Sequence, residues 1–265
     1  RLYHESHSPL RGYSANGTGR TIDFVIVREN CEGLFVERLT PRPAGRDFET
    51  DTLKITRRGA ERICRAAFKL ALTRRRHVTL VDKANVLPSM AFFRRIFDEV
   101  AAEFPDVQTD RIYVDAMALF LVQRPDTFDV MVTENMFGDI LSDLAAGLVG
   151  GMGMAPSADL GEEYGLFQPS HGSAPTIAGK GISNPIATIL SVAMMLEWLE
   201  HPETVRGARL IEHAVEMVLA DPAHRTADLG GRLRTSEMSA RIIDAIEGQS
   251  SAVLRPALQR SPSAG

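Results

Sequence analysis

The sequence has little cysteine, little lysine and no long apolar run. Its 265 residues include two cysteines, Cys31 and Cys64, which stand singly without metal-ligand spacing and give no sign of a disulfide framework. This usage fits a reducing compartment, so we predict a cytoplasmic location. No run approaches the ~18 apolar residues that a membrane span needs. Only 4 of the 30 basic residues are lysines, which makes a lysine in a motif-like setting a stronger functional candidate.

An excess of charge of either sign is also lacking. The 34 acidic and 30 basic residues give a net charge of −4, which predicts neither a nucleic-acid-binding surface nor an acidic disordered tail. The two commonest nucleotide-binding fingerprints, G-x-G-x-x-G and Walker A, are absent. The composition, 44% hydrophobic and 24% charged, is typical of a globular protein of one large or two small domains. Because the chain begins with Arg1 rather than Met, we expect it to be part of a longer polypeptide.

Strands alternate with helices in the first half of the predicted structure. Short apolar runs predict strands at 22–27, 78–81, 112–114 and 130–132. The 3.6-residue period predicts a helix capped by Thr56 and ending near Leu72, a second from Ser89, a third between the last two strands and a fourth over 137–149. This alternation predicts an α/β domain with a substantially parallel sheet.

The second half is predicted to be mostly helical after a long loop. Residues 155–184 favour loop, and Pro185 begins an apolar helix that reaches Leu199. Further helices are predicted near 204–219 and 234–247. The residues from Gln249 onward predict a disordered tail.

Two acidic residues of the fourth predicted helix are candidate metal ligands. Asp139 and Asp143 are four residues apart and therefore share a helix face. Two carboxylates 4 Å apart repel by about 4 kcal/mol at an effective dielectric near 20, and Mg²⁺ or Mn²⁺ would convert that repulsion into binding. An ordinary solvated face is the alternative, although the flanking Ile140 and Leu141 are apolar.

Three more candidates follow predicted strands: Arg28, Lys83 and Asp115. Ligands of α/β sheets bind at the carboxyl ends of the strands. Arginine suits bidentate recognition of a carboxylate, and a lysine near a metal or in a dry cleft can act as a general base. An alternative stays open for each residue. Arg28 could form an ion pair with Glu29 or another acid, Lys83 could be an ordinary surface lysine, and Asp115 could cap a helix.

A glycine-punctuated loop precedes the helix at Pro185. It contains His171 to Pro175, then 179–181, then Asn184. Such a loop exposes backbone N–H groups and lets the chain approach a flat or anionic ligand closely. By composition alone it is only a long loop.

Five motifs in a fixed order carry a family resemblance. They are 27–30 (VREN), 83–88 (KANVLP), 114–117 (VDAM), 135–143 (NMFGDILSD) and 171–175 (HGSAP) with 178–182 (AGKGI). In this order they resemble the isocitrate/isopropylmalate dehydrogenases, the metal-dependent β-decarboxylating dehydrogenases, and most of all the isopropylmalate and homoisocitrate members. The resemblance runs from about Ile22 to Glu247. It implies an α/β fold of two domains built on an open sheet.

The resemblance also implies a reaction and the roles of residues in it. The family oxidises a malate-type 2-hydroxy diacid with NAD(P) and then decarboxylates the β-keto acid. By motif, Asp115, Asp139 and Asp143 resemble the ligands of Mg²⁺ or Mn²⁺, Arg28 the substrate-carboxylate clamp and Lys83 the general base. Asn85 resembles a contact on the nicotinamide side. The adenosine-binding loop would comprise His171, Gly172, Ser173, Ala174, Thr176 and Asn184.

The same resemblance implies a homodimer with shared active sites. In the family, the counterparts of Lys83 and Asp115 reach into the site of the partner subunit. Residues 1–149 would form the substrate and dimerisation domain, with an intersubunit arm at about 36–55. Residues 150–248 would form the C-terminal half of the cofactor domain, whose opening βα units are missing from this chain.

Departures from the family pattern leave alternatives open. Phe35 stands where the family has a proton-donating tyrosine, and Thr176 stands where NAD-dependent members carry an aspartate. The early substrate arginine is replaced near 6–8. The chain also lacks the Lys-Tyr pair of bacterial NADP-dependent members, so NAD is favoured. A catalytically impaired or regulatory member is the second hypothesis, and a structural interaction module the third. Isopropylmalate, homoisocitrate, tartrate and D-malate all remain open as substrates.

Overall fold

The computed structural model describes residues 1–14, 19–37, 47 and 49–258, and its contacts divide them into two units. Unit 1 comprises residues 1–2 and 10–148, and unit 2 comprises residues 3–9 and those from Val149 onward. The predicted boundary lay between residues 149 and 150, with residues 3–9 in the first domain. Instead, this short segment belongs to unit 2, because Tyr3 is buried in the apolar cluster of that unit.

Unit 1 is built on a four-stranded parallel sheet in the order β1-β4-β2-β3. The strands are β1 (Val25–Arg28), β2 (His77–Asp82), β3 (Gln108–Tyr113) and β4 (Val130–Thr133). The helices between and after them are α1 (Arg57–Leu72), α2 (Pro88–Ala101), α3 (Val114–Gln123) and α4 (Asn135–Leu148). The predicted α/β class with a parallel sheet is confirmed.

Apolar residues on both faces of the central strands β4 and β2 hold the sheet between its helices. Val78, Leu80 and Val132 pack with α1 and α2 on one face, whereas Val81 and Met131 pack with α3 and α4 on the other. All five side chains are fully buried, as a parallel sheet covered by helices on both faces requires. The predicted cap of α1 is present, since the Thr56 hydroxyl accepts a hydrogen bond from the Gly59 amide at 3.1 Å.

Two junctions at the carboxyl edge of this sheet are tighter than predicted. β3 ends at Tyr113 and Val114 begins α3 at once, so the predicted strand over 112–114 extends one residue too far. α4 begins at Asn135, two residues before its predicted start and one residue after Glu134. Both junctions place first-turn helical residues directly at the strand ends.

Unit 2 packs three α-helices around one apolar cluster, and a hairpin lies against the first of these helices. Its helices are α5 (Ile186–Trp198), α6 (Pro202–Ala220) and α7 (Thr235–Leu258), and its strands β5 (Pro156–Leu160) and β6 (Gly165–Pro169) pair antiparallel. The prediction of loop was wrong for this hairpin, because proline and glycine at its strand ends indicate turns. In the described part of the chain, no helix is both long and apolar enough to cross a membrane.

Two predictions fall partly or wholly outside the described residues. The backbone of α7 is helical to Leu258, beyond Gln249 where the predicted disordered tail begins, and residues 259–265 are not described. Half of the predicted intersubunit arm at 36–55 falls on residues 38–46 and 48, which are not described. Lys54, near the end of this range, pairs with Gly33 through two backbone hydrogen bonds of 2.9 and 3.2 Å.

Candidate functional site

The candidate residues of unit 1 lie at one edge of the sheet, in two groups. Because all four strands are parallel, their carboxyl ends meet at the same edge. Arg28 ends β1 and lies beside the start of α4, which follows the neighbouring β4. Lys83 follows β2, and Asp115 lies in the first turn of the helix after the neighbouring β3. In the order β1-β4-β2-β3, the Arg28 group lies at the ends of β1 and β4, and the Lys83 group lies at the ends of the adjacent β2 and β3.

Arg28 is bound by two residues of α4. Its Nε and Nη2 atoms donate to Oδ1 of Asn135 at 2.9 and 2.7 Å, and its Nη1 atom donates to Oδ1 of Asp139 at 2.7 Å. Asn135 is 2% exposed, and its amide nitrogen donates to the Glu32 carbonyl oxygen at 3.0 Å. The acid that pairs with Arg28 is therefore Asp139 and not Glu29. Asn135 also belongs to this group, although the sequence analysis predicted no role for it.

Buried carboxylates fix the turn that follows β1. Glu29 accepts hydrogen bonds from Nη2 of Arg62, at 2.9 and 3.1 Å, and from the Cys31 amide at 2.7 Å. Glu32 accepts one from the Thr56 amide at 2.8 Å. This turn leads into a 3₁₀ helix over 34–37, which contains the half-buried Phe35.

Glu134 stands between β4 and α4 and caps the helix. Its Oε1 atom accepts a hydrogen bond from the Phe137 amide at 2.7 Å. The carboxyl group is 1% exposed, and this burial raises the pKa of Glu134. The start of the helix that bears Asn135 and Asp139 is therefore anchored by a buried side chain.

The Lys83 group contains an ion pair. Lys83 Nζ lies 2.5 Å from Oδ1 of Asp115, and this hydrogen bond lowers the pKa of Asp115. Tyr113 is the N-cap of α3, so Asp115 is a first-turn residue rather than the cap itself. Asn85 is exposed in the turn between β2 and α2.

A buried aspartate holds the turn that carries Lys83. Asp82 is fully buried and accepts hydrogen bonds from Arg94 through Nε and Nη2, both at 2.7 Å. It also accepts one from the Ala84 amide at 3.0 Å. The residues on both sides of Lys83 are therefore fixed to the core.

The three predicted metal ligands do not meet within one chain. Asp139 and Asp143 are exposed one turn apart on α4, whereas Asp115 is paired with Lys83 in the other group. Among the described residues, no three His, Cys, Asp or Glu side chains are grouped so that they could hold a metal ion. The two carboxylates of α4 share one helix face and are both exposed. The donor set, made only of oxygen atoms, suits Mg²⁺ or Mn²⁺.

In unit 2, the predicted adenosine-binding loop is exposed in its middle and anchored at its end. Residues 172–176 are exposed, with Ala174 in a left-handed conformation at φ 45°. Asn184 is buried, and its side chain accepts a hydrogen bond from the Ile186 amide and donates one to Asp228, both at 3.0 Å. The side chain of Asn184 therefore holds the end of the loop, while the exposed residues 172–176 present its surface.

A family model matches nearly the whole chain. The model described as isocitrate/isopropylmalate dehydrogenase matches residues 4–243. A 3-isopropylmalate/3-methylmalate dehydrogenase of Methanocaldococcus jannaschii is 48% identical over 83% of this chain and 66% of its own length. An isocitrate/homoisocitrate dehydrogenase of Thermus thermophilus is 46% identical over 90% of this chain and 70% of its own length.

A solved structure shows the same fold. The crystal structure of isocitrate dehydrogenase from Methylococcus capsulatus matches with a TM-score of 0.79 and 42% identity, over 87% of this chain and 69% of that chain. The chain thus spans about two thirds of the length of the proteins that it matches.

Proposed function

The chain belongs to the isocitrate/isopropylmalate dehydrogenase family, and we propose that it takes part in the NAD-dependent, divalent-metal-dependent oxidative decarboxylation of a malate-type 2-hydroxy diacid resembling 3-isopropylmalate. One observation carries the proposal. The residues proposed for the reaction all lie at the carboxyl edge of one parallel sheet. Arg28 would be the carboxylate clamp, Lys83 the base, and Asp115 and Asp139 metal ligands.

Arg28 binds a carboxylate of the diacid in this proposal. Its guanidinium already donates to the carboxylate of Asp139, and an arginine fork is suited to a substrate carboxylate in the same way. A diacid held at its carboxylate presents its hydroxyl and its scissile carboxylate in a fixed orientation, which favours both steps of the reaction.

Asp139 and Asp143 of one subunit, together with Asp115 of a second copy, would hold the divalent cation. When bound, the cation supplies Lewis acidity at the hydroxyl and carboxylate oxygens of the substrate. Within one chain Asp115 is paired with Lys83, and the described residues contain no group of three acidic, His or Cys side chains that could hold a metal ion, so a second copy is proposed to supply the third carboxylate. A homodimer follows from this proposal.

Lys83, as the neutral amine, would accept the hydroxyl proton in the oxidation step. As the O–H bond breaks, a hydride leaves C2 for NAD and a carbonyl forms. The bond to the β-carboxylate then breaks, CO₂ leaves with its carbon, and the electron pair left on C3 takes up a proton. Phe35 has no hydroxyl group with which to donate that proton.

The loop over 171–184 binds the adenosine part of NAD in this proposal. Backbone groups of His171 to Ala174 and the side chain of Thr176 would contact the cofactor, and Asn85 would contact its nicotinamide side. Thr176 has no carboxylate for a bidentate bond to ribose hydroxyls, so we expect weaker NAD binding than an aspartate would give. The cytoplasm is the proposed location.

A catalytically impaired or regulatory member of the same family is the second candidate. Phe35 favours it, because a phenyl ring cannot donate a proton. Such a protein would bind the cation and the diacid without turnover.

A panel of 2-hydroxy di- and tricarboxylic acids distinguishes these candidates. The complete gene product is assayed with NAD or NADP and Mn²⁺ on 3-isopropylmalate, homoisocitrate, tartrate and D-malate, and binding of each acid is measured by calorimetry. We expect NADH production with one of them. Binding without turnover supports the impaired member, and the absence of both turnover and binding refutes the proposed function.

Mixed dimers test the shared site. Lys83→Met and Asp139→Asn chains, carrying different tags, are each expected to be inactive alone. If the site is shared, one site of a mixed dimer combines the native Lys83 of one chain with the native Asp139 of the other. The second site then contains both substitutions. We expect co-purified mixed dimers to regain about half of the native activity per dimer, and mixed dimers as inactive as the parents would contradict sharing.

A further inference from the structure

The first turn of α4 forms a cradle around Arg28, made by Asn135, Gly138 and Asp139. Asn135 and Asp139 bind the guanidinium, as described above. Gly138 contacts the aliphatic part of the side chain so closely that a Cβ atom on it would lie 2.6 Å from Cγ and 2.7 Å from Cβ of Arg28. Real Cβ atoms do not approach other heavy atoms so closely, so a side chain at position 138 would displace the arginine.

Asn135 fixes the orientation of the guanidinium without neutralising its charge. Its Oδ1 atom accepts from two of the three guanidinium nitrogens, while its Nδ2 atom is held by the Glu32 carbonyl. Asn135 is buried and bonded at both ends, so its oxygen has a fixed position. The third nitrogen, Nη1, points to Asp139 at the exposed end of the cradle.

Arg94 is an arginine of similar exposure that is held by a carboxylate and not by an amide. Its side chain is 27% exposed, the same fraction as that of Arg28, but its fork is held by the carboxylate of the buried Asp82. There the positive charge is balanced by a buried negative one, as in a structural ion pair. The cradle instead gives Arg28 a neutral acceptor inside, and its charge is paired at the exposed end with the carboxylate of Asp139, which is itself 54% exposed.

We propose that Asn135 and Gly138 are positioning residues that preset the Arg28 guanidinium for a carboxylate of the substrate. This inference rests on the proposed function, because it takes Arg28 as the carboxylate-binding group. A free arginine side chain must lose rotamer freedom on binding, and the cradle removes that cost in advance.

The first experiment needs no substrate. The complete polypeptide reacts with phenylglyoxal, and peptide mass spectrometry follows the modification rates of Arg28 and Arg94. We expect Asn135→Ala and Gly138→Ala to raise the rate at Arg28 several-fold and to leave Arg94 unchanged. Gly147→Ala is the matched control, since a Cβ atom at this glycine of the same helix would meet nothing within 4 Å. Equal rates at Arg28 in all four proteins would overturn the inference.

The second experiment measures calorimetric dissociation constants for 3-isopropylmalate, D-malate and tartrate in the presence of Mn²⁺, together with that of Mn²⁺ alone. We expect Asn135→Ala and Gly138→Ala to weaken diacid binding about three- to tenfold, with Mn²⁺ affinity and melting temperature close to those of Gly147→Ala. A parallel fall in diacid affinity, Mn²⁺ affinity and melting temperature would assign the two residues to stability alone and overturn the inference.

Arg28→Ala separates this inference from the proposed function. If Arg28→Ala weakens diacid binding but the two cradle variants bind like the native protein, the positioning role is wrong and the proposed role of Arg28 stands. If Arg28→Ala binds the diacid as tightly as the native protein, the substrate role of Arg28 is itself wrong.

Discussion

Replacing Asp82 by asparagine tests whether the turn that carries Lys83 is anchored to the core as the structure indicates. Asp82 is the last residue of β2 and is fully buried. Its two oxygens accept three hydrogen bonds, two from Arg94 at 2.7 Å and one from the Ala84 amide at 3.0 Å. The substitution removes the negative charge at nearly constant volume.

The expected loss of stability follows from the burial of the pair. Removing one partner of a buried ion pair costs about 3–5 kcal/mol, because the other charge is left uncompensated. The Arg94 side chain is 27% exposed, so water can recover part of its hydration. We therefore expect Asp82→Asn to lower the free energy of unfolding by about 3 kcal/mol, the lower end of that range.

Urea denaturation followed by far-UV circular dichroism measures this loss. Asp98→Asn is the matched control, because Asp98 also accepts from two nitrogens of an arginine, Arg111, but with side chains that are 47% and 32% exposed. An exposed pair contributes at most about 1 kcal/mol, so the control should lose little. Equal losses in the two variants would refute the anchoring role of Asp82.

The same variant has a catalytic readout. Because Lys83 and Asn85 lie in the turn after Asp82, loosening it moves the proposed base, and a displacement of 1 Å can lower a rate by about 100-fold. Well below its melting temperature, we expect Asp82→Asn to reduce kcat at least tenfold relative to Asp98→Asn. An unchanged kcat would show that the turn keeps its position without the buried carboxylate.

Three further predictions follow from the sites described above. Asp139→Asn is expected to abolish Mn²⁺ binding in calorimetry, and an affinity equal to that of Asp98→Asn would exclude Asp139 as a ligand. Phe35→Tyr restores a proton donor and should raise kcat more than it changes KM, so an unchanged kcat would remove the proton-donor argument. Burial lowers the pKa of His7 to about 4, and neither of its ring nitrogens has a hydrogen-bond partner among the described residues. Because the unfolded chain then binds one more proton between pH 6.5 and 4, unfolding free energy should fall by up to about 3 kcal/mol as pH drops through that window. In His7→Leu this part of the pH dependence should be absent, and an identical pH profile would show that His7 does not cause it.

The elements of unit 1 could be predicted because their apolar periods are strong. β2 and β4 consist almost entirely of buried residues, and α1 has both a capping threonine and a regular apolar face. The hairpin of unit 2 was missed for the opposite reason. β5 and β6 are five residues each, mostly exposed or half-buried, and proline or glycine stands at their ends.

The partners of Arg28 could not be read from local sequence. Arg28 and Asn135 are 107 residues apart, and only the pairing of β1 with β4 brings them together. Glu29, the predicted alternative partner, is the next residue along the chain, and consecutive residues of an extended segment point to opposite sides. It turns instead to Arg62. The assignment of three carboxylates to one metal site rests on the family resemblance, because one chain does not bring them together.

In the loop over 171–184, the residue that anchors the fold is separate from the exposed residues, and this separation bears on how the loop can evolve. Its fold depends on buried anchors such as Asn184, whereas residues 172–176 are exposed, and Gly172, Ala174 and Pro175 accept hydrogen bonds through their backbone carbonyls. Substitutions in that exposed stretch can accumulate by neutral drift with little cost to thermostability. In the proposed function Thr176 contacts the coenzyme, so coenzyme preference is a trait that selection could retune at this exposed position while the anchored end of the loop stays intact.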